Sequence, residues 1–173
     1  MWLSDILAER APYLEKLFRR PEGSSLVVAA FDADPVTKRS ANYICDGIAD
    51  NVEIQAAIEH LNTKPGLIQL SEGTFNLSGQ ISFKGDRQGI VGLGQSTLVK
   101  TVRTSPSTSL FTCDAACIGN FLKDFRFENR DITDTYQIVN PYANSDWEVS
   151  GIDAHGFYEY NSASVSDTDR FLS

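Results

Sequence analysis

From Gln80 onward the chain has no long helical pattern, and this limits what it can fold into more than any other feature. It runs instead in short apolar pieces: "ISF", "GIVGLG", "TLVK", "SLFT", "FLKDFRFEN", "YQIV" and "GIDAHGFYEY". Gly, Asn, Asp and Ser separate them. Short runs rich in β-branched and aromatic residues, punctuated by turn formers, read as strands. In "FRF", Phe125 and Phe127 share one face of a strand and Arg126 takes the other. No piece is long enough to bury its own apolar face. Stacking each turn of chain on the previous one buries them together, which is the logic of a solenoid.

Upstream, "LVVAAF" reads as a buried strand, "DADPVTKRSA" as a polar loop and "NYIC" as a second short strand. The stretch "CDGIADNVEIQAAIEHL" then offers three readings: a metal loop, a pair of catalytic carboxylates, or the entry to a helix. Asp50 to Glu53 is D-x-x-E, a capping box with Asp in place of Ser or Thr. Ile54, Ala57, Ile58 and Leu61 follow at helical spacing, and "NTKPG" supplies the stop. A helix is therefore expected over about 50–61. Asp46-Gly47 is an ordinary turn pair, and D-G-x-x-D lacks the rest of a calcium loop. Asp50 and Glu53 are assigned a structural role as the helix cap, with no metal site expected. "LIQLSEGTFNL" is a further strand run with Gly73 at a turn.

The first residues, "MWLSDILAERAPYLEKLFRR", place Leu3, Ile6, Leu7, Leu14, Leu17 and Phe18 near one helical face. Ser4 is the expected N-cap. Pro12 breaks or kinks the segment, giving two short helices with the second starting near it. "PEGSS" reads as a linker. Such a stripe must be buried, either on its own domain or on a partner. Trp2 and the six stripe residues are the candidate attachment contacts. Asp5, Glu9, Arg10 and Glu15 interrupt what would be the apolar core of a secretion signal, so none is expected. No apolar run approaches membrane-spanning length. The chain thus divides into an amphipathic attachment segment (1–24), a capping region (25–79) and a strand-rich remainder (80–173).

The 173 residues suffice for one domain with a core, and 42% hydrophobic with 22% charged residues excludes a disordered chain. A net charge of −8 disfavours nucleic acid and anionic membrane surfaces as partners. Cys45, Cys113 and Cys117 form no disulfide framework, and no CxxC or Cys/His cluster points to zinc. They read as small buried residues.

"ANYICDGIADNVEIQAAI", "IQLSEGTFNLSGQISF" and "IVGLGQSTLV" together closely resemble the start of pectate lyase-like right-handed parallel β-helix proteins. "FLKDFRFEN" resembles a following rung strand, so the likeness runs over about residues 26–130. The resemblance implies an all-β fold: a right-handed parallel β-helix of few rungs, closed at its N-terminal end by the helix at 50–61 and preceded by the amphipathic segment. It puts Gly92 and Gly94 where the chain turns tightly between neighbouring sheets. The family includes polysaccharide lyases, glycoside hydrolases and phage-tail receptor-binding or structural proteins, so fold alone does not choose among them.

Catalysis in such enzymes uses carboxylates, sometimes with Arg or Lys, on an outward sheet face. The corresponding candidates are Asp124, Arg126, Glu128, Asp153, His155 and Glu159. Asp153 and His155 share a face if "GIDAHGF" is extended, and that pair suits acid/base work. The sequence places no third partner beside them, so they stand only as weak catalytic candidates, and no cofactor is expected. Residues 80–173 hold roughly three or four rungs, fewer than a carbohydrate groove normally spans. "DTDRFLS" supplies no evident C-terminal cap, which implies either a covering subunit or a longer protein. The expected identity is a virion structural protein: a β-helix subunit of a phage tail, baseplate or head appendage. It is expected as a homotrimer in the virion, attached to other virion proteins through residues 1–24. A cell-surface polysaccharide is a candidate ligand; nucleic acid and membrane insertion are not expected. The alternatives are a polysaccharide lyase or glycoside hydrolase, whole or an N-terminal fragment, and a bacterial adhesion module.

Overall fold

The computed structural model describes residues 25–102, 109–114, 117–129, 138–139 and 146–155. The attachment segment, with Trp2, Leu3, Ser4, Ile6, Leu7, Pro12, Leu14, Leu17 and Phe18, lies outside the described residues, as does Glu159.

The described chain is mainly β, in largely parallel sheets with few helices. Strand β1 (Ser25–Ala29) buries Leu26 and Val28 and turns Val27 outward. A short helix α1 (Pro35–Ser40) follows, where the sequence reads as a polar loop. Its cause is local. Pro35 opens the helix with its φ already set, and the Asp34 carboxylate accepts the Val36 N–H at 2.7 Å. Strand β2 (Tyr43–Ile44) pairs with β1 as expected. Helix α2 (Asn51–Leu61) buries Ile54, Ala57, Ile58 and Leu61 and ends at Asn62, whose φ is +57°.

Seven strands follow: β3 (Gly66–Leu70), β4 (Gly73–Leu77), β5 (Ile81–Phe83), β6 (Gln88–Thr101), β7 (Phe111–Cys113), β8 (Asn120–Asn129) and β9 (Trp147–His155). Every pairing among the described strands is parallel. The main sheet runs β2-β1-β3-β6-β8-β9. The first half of β6 pairs with β3, and its second half pairs with β4. Strands β8 and β9 continue both halves, so three long strands each serve two neighbouring surfaces. Strands β5 and β7 form a separate pair, extended by a parallel bridge from Phe111 to Val139.

"GIVGLG" and "TLVK" read as separate pieces but belong to the single 14-residue strand β6. Pairing with β8 shifts register twice between Val91 and Leu98, so the strand bends without ending. Gly94 (φ +62°), Asp124 (φ +56°) and Gly151 (φ +63°) mark this bend in successive long strands. Gly92 lies at the same place for a second reason: a Cβ there would sit 2.7 Å from the Phe125 Cβ.

The core lies between these surfaces. Ile68, Ile90 and Leu122 stack inward from the first halves, and Phe75, Val99 and Phe127 from the second. Phe111 meets Phe127 edge-on at 6.2 Å, and Phe83 meets Trp147 edge-on at 5.1 Å. Helix α2 packs against β1 through β5.

Candidate functional site

Chemistry-bearing side chains gather in two places, beneath α2 and on the outer sheet surfaces. Asp50 holds the N-cap position of α2, but its carboxylate does not cap. Its backbone is already helical (φ −62°, ψ −11°), whereas a capping residue needs an extended backbone to aim its oxygen at the first turn. The carboxylate turns to β4 instead. Oδ2 accepts the Asn76 N–H at 2.7 Å and Oδ1 accepts the Gly47 N–H at 2.8 Å. The Asp50 N–H donates to the Asn76 carbonyl at 2.9 Å, which removes the group that Glu53 would bond in a capping box. The expected Asp50–Glu53 cap is thus corrected: Asp50 is a latch on a strand edge, and Glu53 is a first-turn carboxylate with one oxygen, Oε2, buried without a hydrogen-bond partner among the described residues.

The latch continues along α2. Asn51 Oδ1 accepts the N–H groups of Ser78 and Gly79, each at 3.0 Å. The Gln55 amide bonds Ser82 both ways, donating to its carbonyl at 3.0 Å and accepting its N–H at 2.8 Å. Three helix side chains therefore do what another strand would do, satisfying an edge that would otherwise be open.

Cys45 completes this cluster; it is buried as expected, but its place beside Asp50 was not foreseen. Donor atoms of Cys45, Asp50 and Glu53 lie within 4.8 Å of one another. Burial raises the Asp50 carboxyl above its ordinary range, opposed by the N–H groups of Asn76 and Gly47. Burial also raises the Cys45 thiol, helped by the negative field of Asp50, Glu53 and Asp46. A thiol whose pKa is raised in this way is a poor nucleophile. With both Asp50 oxygens occupied by N–H groups, the cluster works as a structural latch.

The outer surfaces are where a ligand or partner is met. On the second halves of the long strands, register sets Leu98, Arg126 and Asp153 side by side, and Lys100, Glu128 and His155 beside them. Lys100 and Glu128 are 3.8 Å apart, and Asp153 accepts the Gln95 amide at 3.0 Å. Arg126 Nε is buried without a hydrogen-bond partner among the described residues. Of the sequence candidates, Arg126, Glu128 and Asp153 share this surface, and His155 joins it by register alone, its side chain lying outside the described residues. Asp124 occupies the bend instead. Gln95 lies in the "GLGQS" stretch, where no sequence signal marks it as a partner of Asp153.

The first halves carry a different surface. Val27, Leu67, Val91 and Phe121 face outward and are half-buried by their neighbours. The Phe121 ring lies over Gly89, where a Cβ would collide with it. Lys123 sits 5.3 Å from that ring and pairs with Glu148 at 2.6 Å. At the α2 end, Phe31, Val36, Ile44, Ile48 and Val52 are 52–73% exposed. Among the described residues, no helix is long and apolar enough to cross a membrane. No family model, curated protein or solved structure matches the chain.

Proposed function

We propose that this chain is a virion structural protein, a β-helix subunit of a phage tail, baseplate or head appendage, attached at its N-terminal end. The β-helix reading rests on the all-parallel pairing and on the recurrence of three strand positions. These are 66–70, 73–77 and 81–83, then 88–91, 97–101 and 111–113, then the two halves of β8 with Val139. A right-handed turn is the ordinary hand for parallel crossovers. In this reading α2 closes the first coil through Asp50, Asn51 and Gln55.

The observation that carries the attachment is the exposed group at the α2 end. A terminal cap normally presents a polar outer face to keep a stack soluble. This one presents Phe31, Ile44, Ile48 and Val52, with Gly47 packed beneath Phe31. Exposed apolar side chains of this kind fit a contact with another protein. Residues 1–24 precede the same capping region, and trimeric packing would cover a further surface.

The test is incorporation. Phage particles assembled with Ile44→Asp and Ile48→Asp are expected to lose the subunit while the isolated variant keeps its wild-type circular dichroism. Finding the variant at wild-type copy number in gradient-purified particles would overturn the attachment surface. Absence of the wild-type chain from such particles would overturn the virion assignment.

A second reading, glycan binding or cleavage, is favoured by the charged outer surface around Arg126 and Asp153. Polysaccharide cleavage lost in Asp153→Ala would support it. No binding and no cleavage across host capsules and pectins would exclude it for this chain.

A further inference from the structure

We infer that Cys113 and Cys117 are an oxidation site, a buried dithiol pair that a small peroxide closes to a disulfide. Cys113 ends β7, and Cys117 stands four residues on, before β8 begins. Both side chains are buried, and the two thiols are hydrogen-bonded to each other. Sulfurs in such contact already point toward one another, so the divergent geometry that forbids a bridge is absent.

The surroundings hold the pair in place. Asn120 Nδ2 lies 3.4 Å from Cys113 Sγ, and Asn120 Oδ1 accepts the Gln88 N–H at 3.0 Å. The Cys117 carbonyl accepts the Asp146 N–H at 3.1 Å, next to Trp147 where β9 begins. A bridge therefore ties the end of β7 to the chain entering β8, which is itself held to the start of β9. Cys45 differs. It is buried to the same degree, 2% exposed against 1% and 3%, but its neighbours are the carboxylates of Asp50, Glu53 and Asp46 rather than a thiol.

The step balances with a peroxide as oxidant. One sulfur, its proton lost, attacks a peroxide oxygen. An S–O bond forms, the O–O bond breaks, and the departing hydroxide takes up the proton as water, leaving a sulfenic acid. The second sulfur then attacks the sulfenic sulfur. The S–S bond forms, the S–O bond breaks, and the hydroxyl leaves with the second thiol's proton as another water. Each sulfur gives up one electron, and the peroxide accepts both. Burial raises the Cys113 thiol, and Cys117 beside it adds to this, so the reaction is slow beside that of an exposed thiol. Burial also favours a small oxidant, since a bulky disulfide must reach a sulfur directly.

The inference stands apart from the virion assignment, and particle incorporation and the thiol chemistry fail independently. The test counts thiols on the full chain. Folded protein is treated with hydrogen peroxide, quenched, unfolded and labelled with a maleimide, and each cysteine is read by peptide mass. Cys113 and Cys117 are expected to lose their labels together, at least about tenfold faster than Cys45. The tryptic peptide that holds both is expected to be lighter by two hydrogens, and dithiothreitol to restore both labels. Loss of the Cys45 label at the same rate would mean that oxidation follows unfolding, and would overturn the proposal. So would a chain that keeps all three labels under a treatment that bridges the pair in urea. The bridged chain is expected to keep the circular dichroism of the reduced chain and a urea midpoint no lower. A lower midpoint would show that the bridge does not fit the fold, and would also overturn the proposal.

Discussion

The two halves of the long strands β6, β8 and β9 are alike inside and differ outside. Inward, both stack large apolar side chains: Ile90 and Leu122 in the first halves, Val99 and Phe127 in the second. Outward, the first halves set Val91 and Phe121 beside the Lys123–Glu148 pair, and the second halves set Leu98 beside Lys100, Arg126, Glu128 and Asp153. The inner pattern drives folding, because burying those side chains is the main favourable term. The outer pattern is free of that demand, so it records what each surface meets. The first-half surface carries a charge pair beside its apolar side chains, and the second-half surface carries Arg126 next to Asp153.

The comparison breaks first at its shared interior. Phe127 is fully buried, packed edge-on against Phe111 and tilted against Phe125 at 5.8 Å. Phe127→Ala is expected to cost about 3–5 kcal/mol, read as a lower urea midpoint. A loss under about 1 kcal/mol would mean that the inner stack is not what holds the halves together.

The bend between the halves comes next. Gly151 has φ +63°, and a Cβ there would also collide with the Asp124 carboxylate. Gly94 has φ +62° but open space around it. Each glycine-to-alanine change is expected to cost about 1–2 kcal/mol from the backbone alone. Gly151→Ala should exceed Gly94→Ala by whatever moving Asp124 requires. Equal losses would show that only the backbone conformation matters at the bend.

Closure by α2 should weigh about as much. Gln55→Ala leaves the Ser82 N–H and carbonyl without their side-chain partners, and about 1–3 kcal/mol is expected by thermal or urea unfolding. Faster hydrogen exchange confined to β5 would mark the opened edge.

The smallest effect concerns the outer side of β5 and β7, a third surface with its own polar pairing. Lys84 and then Ser82 hold the Asp114 carboxyl below its ordinary value of 3.8. A lowered folded value stabilises the fold above pH 3.8, and this is lost as pH falls through the lowered value. Asp114 is largely exposed, so the gain is at most about 1 kcal/mol. Wild type and Asp114→Asn should therefore differ slightly in melting temperature near neutral pH and converge in acid. A difference that persists unchanged in acid would assign the effect to something other than the charge.

Much of the architecture is legible from alternation alone. "FRF" announces two inward aromatics and an outward arginine, and "IEHL" with its preceding Ile54 and Ala57 announces the buried face of α2. Helix α1 was missed because Asp34-Pro35 is as much a turn signal as a helix start. The continuity of β6 was missed because Gly92 and Gly94 read as a break, while pairing with β8 carries the strand through them. The latch was misassigned for a similar reason: D-x-x-E describes local partners, and the partner that wins, Asn76, is 26 residues away.

By itself the sequence determined that short strands alternate in and out, that they have to stack to bury their apolar sides, and that one amphipathic helix lies near the start. These follow from side-chain period and hydrophobicity, which are local properties. Only the tertiary structure decided which strand edge Asp50, Asn51 and Gln55 satisfy, that Cys45 is held beside Asp50, and that Gln95 reaches Asp153. It also decided that Val27, Leu67, Val91 and Phe121 form one surface. Apart from Cys45 beside Asp50, which a turn brings together, each of these depends on contacts between segments far apart in the chain, set by the packing of the whole stack.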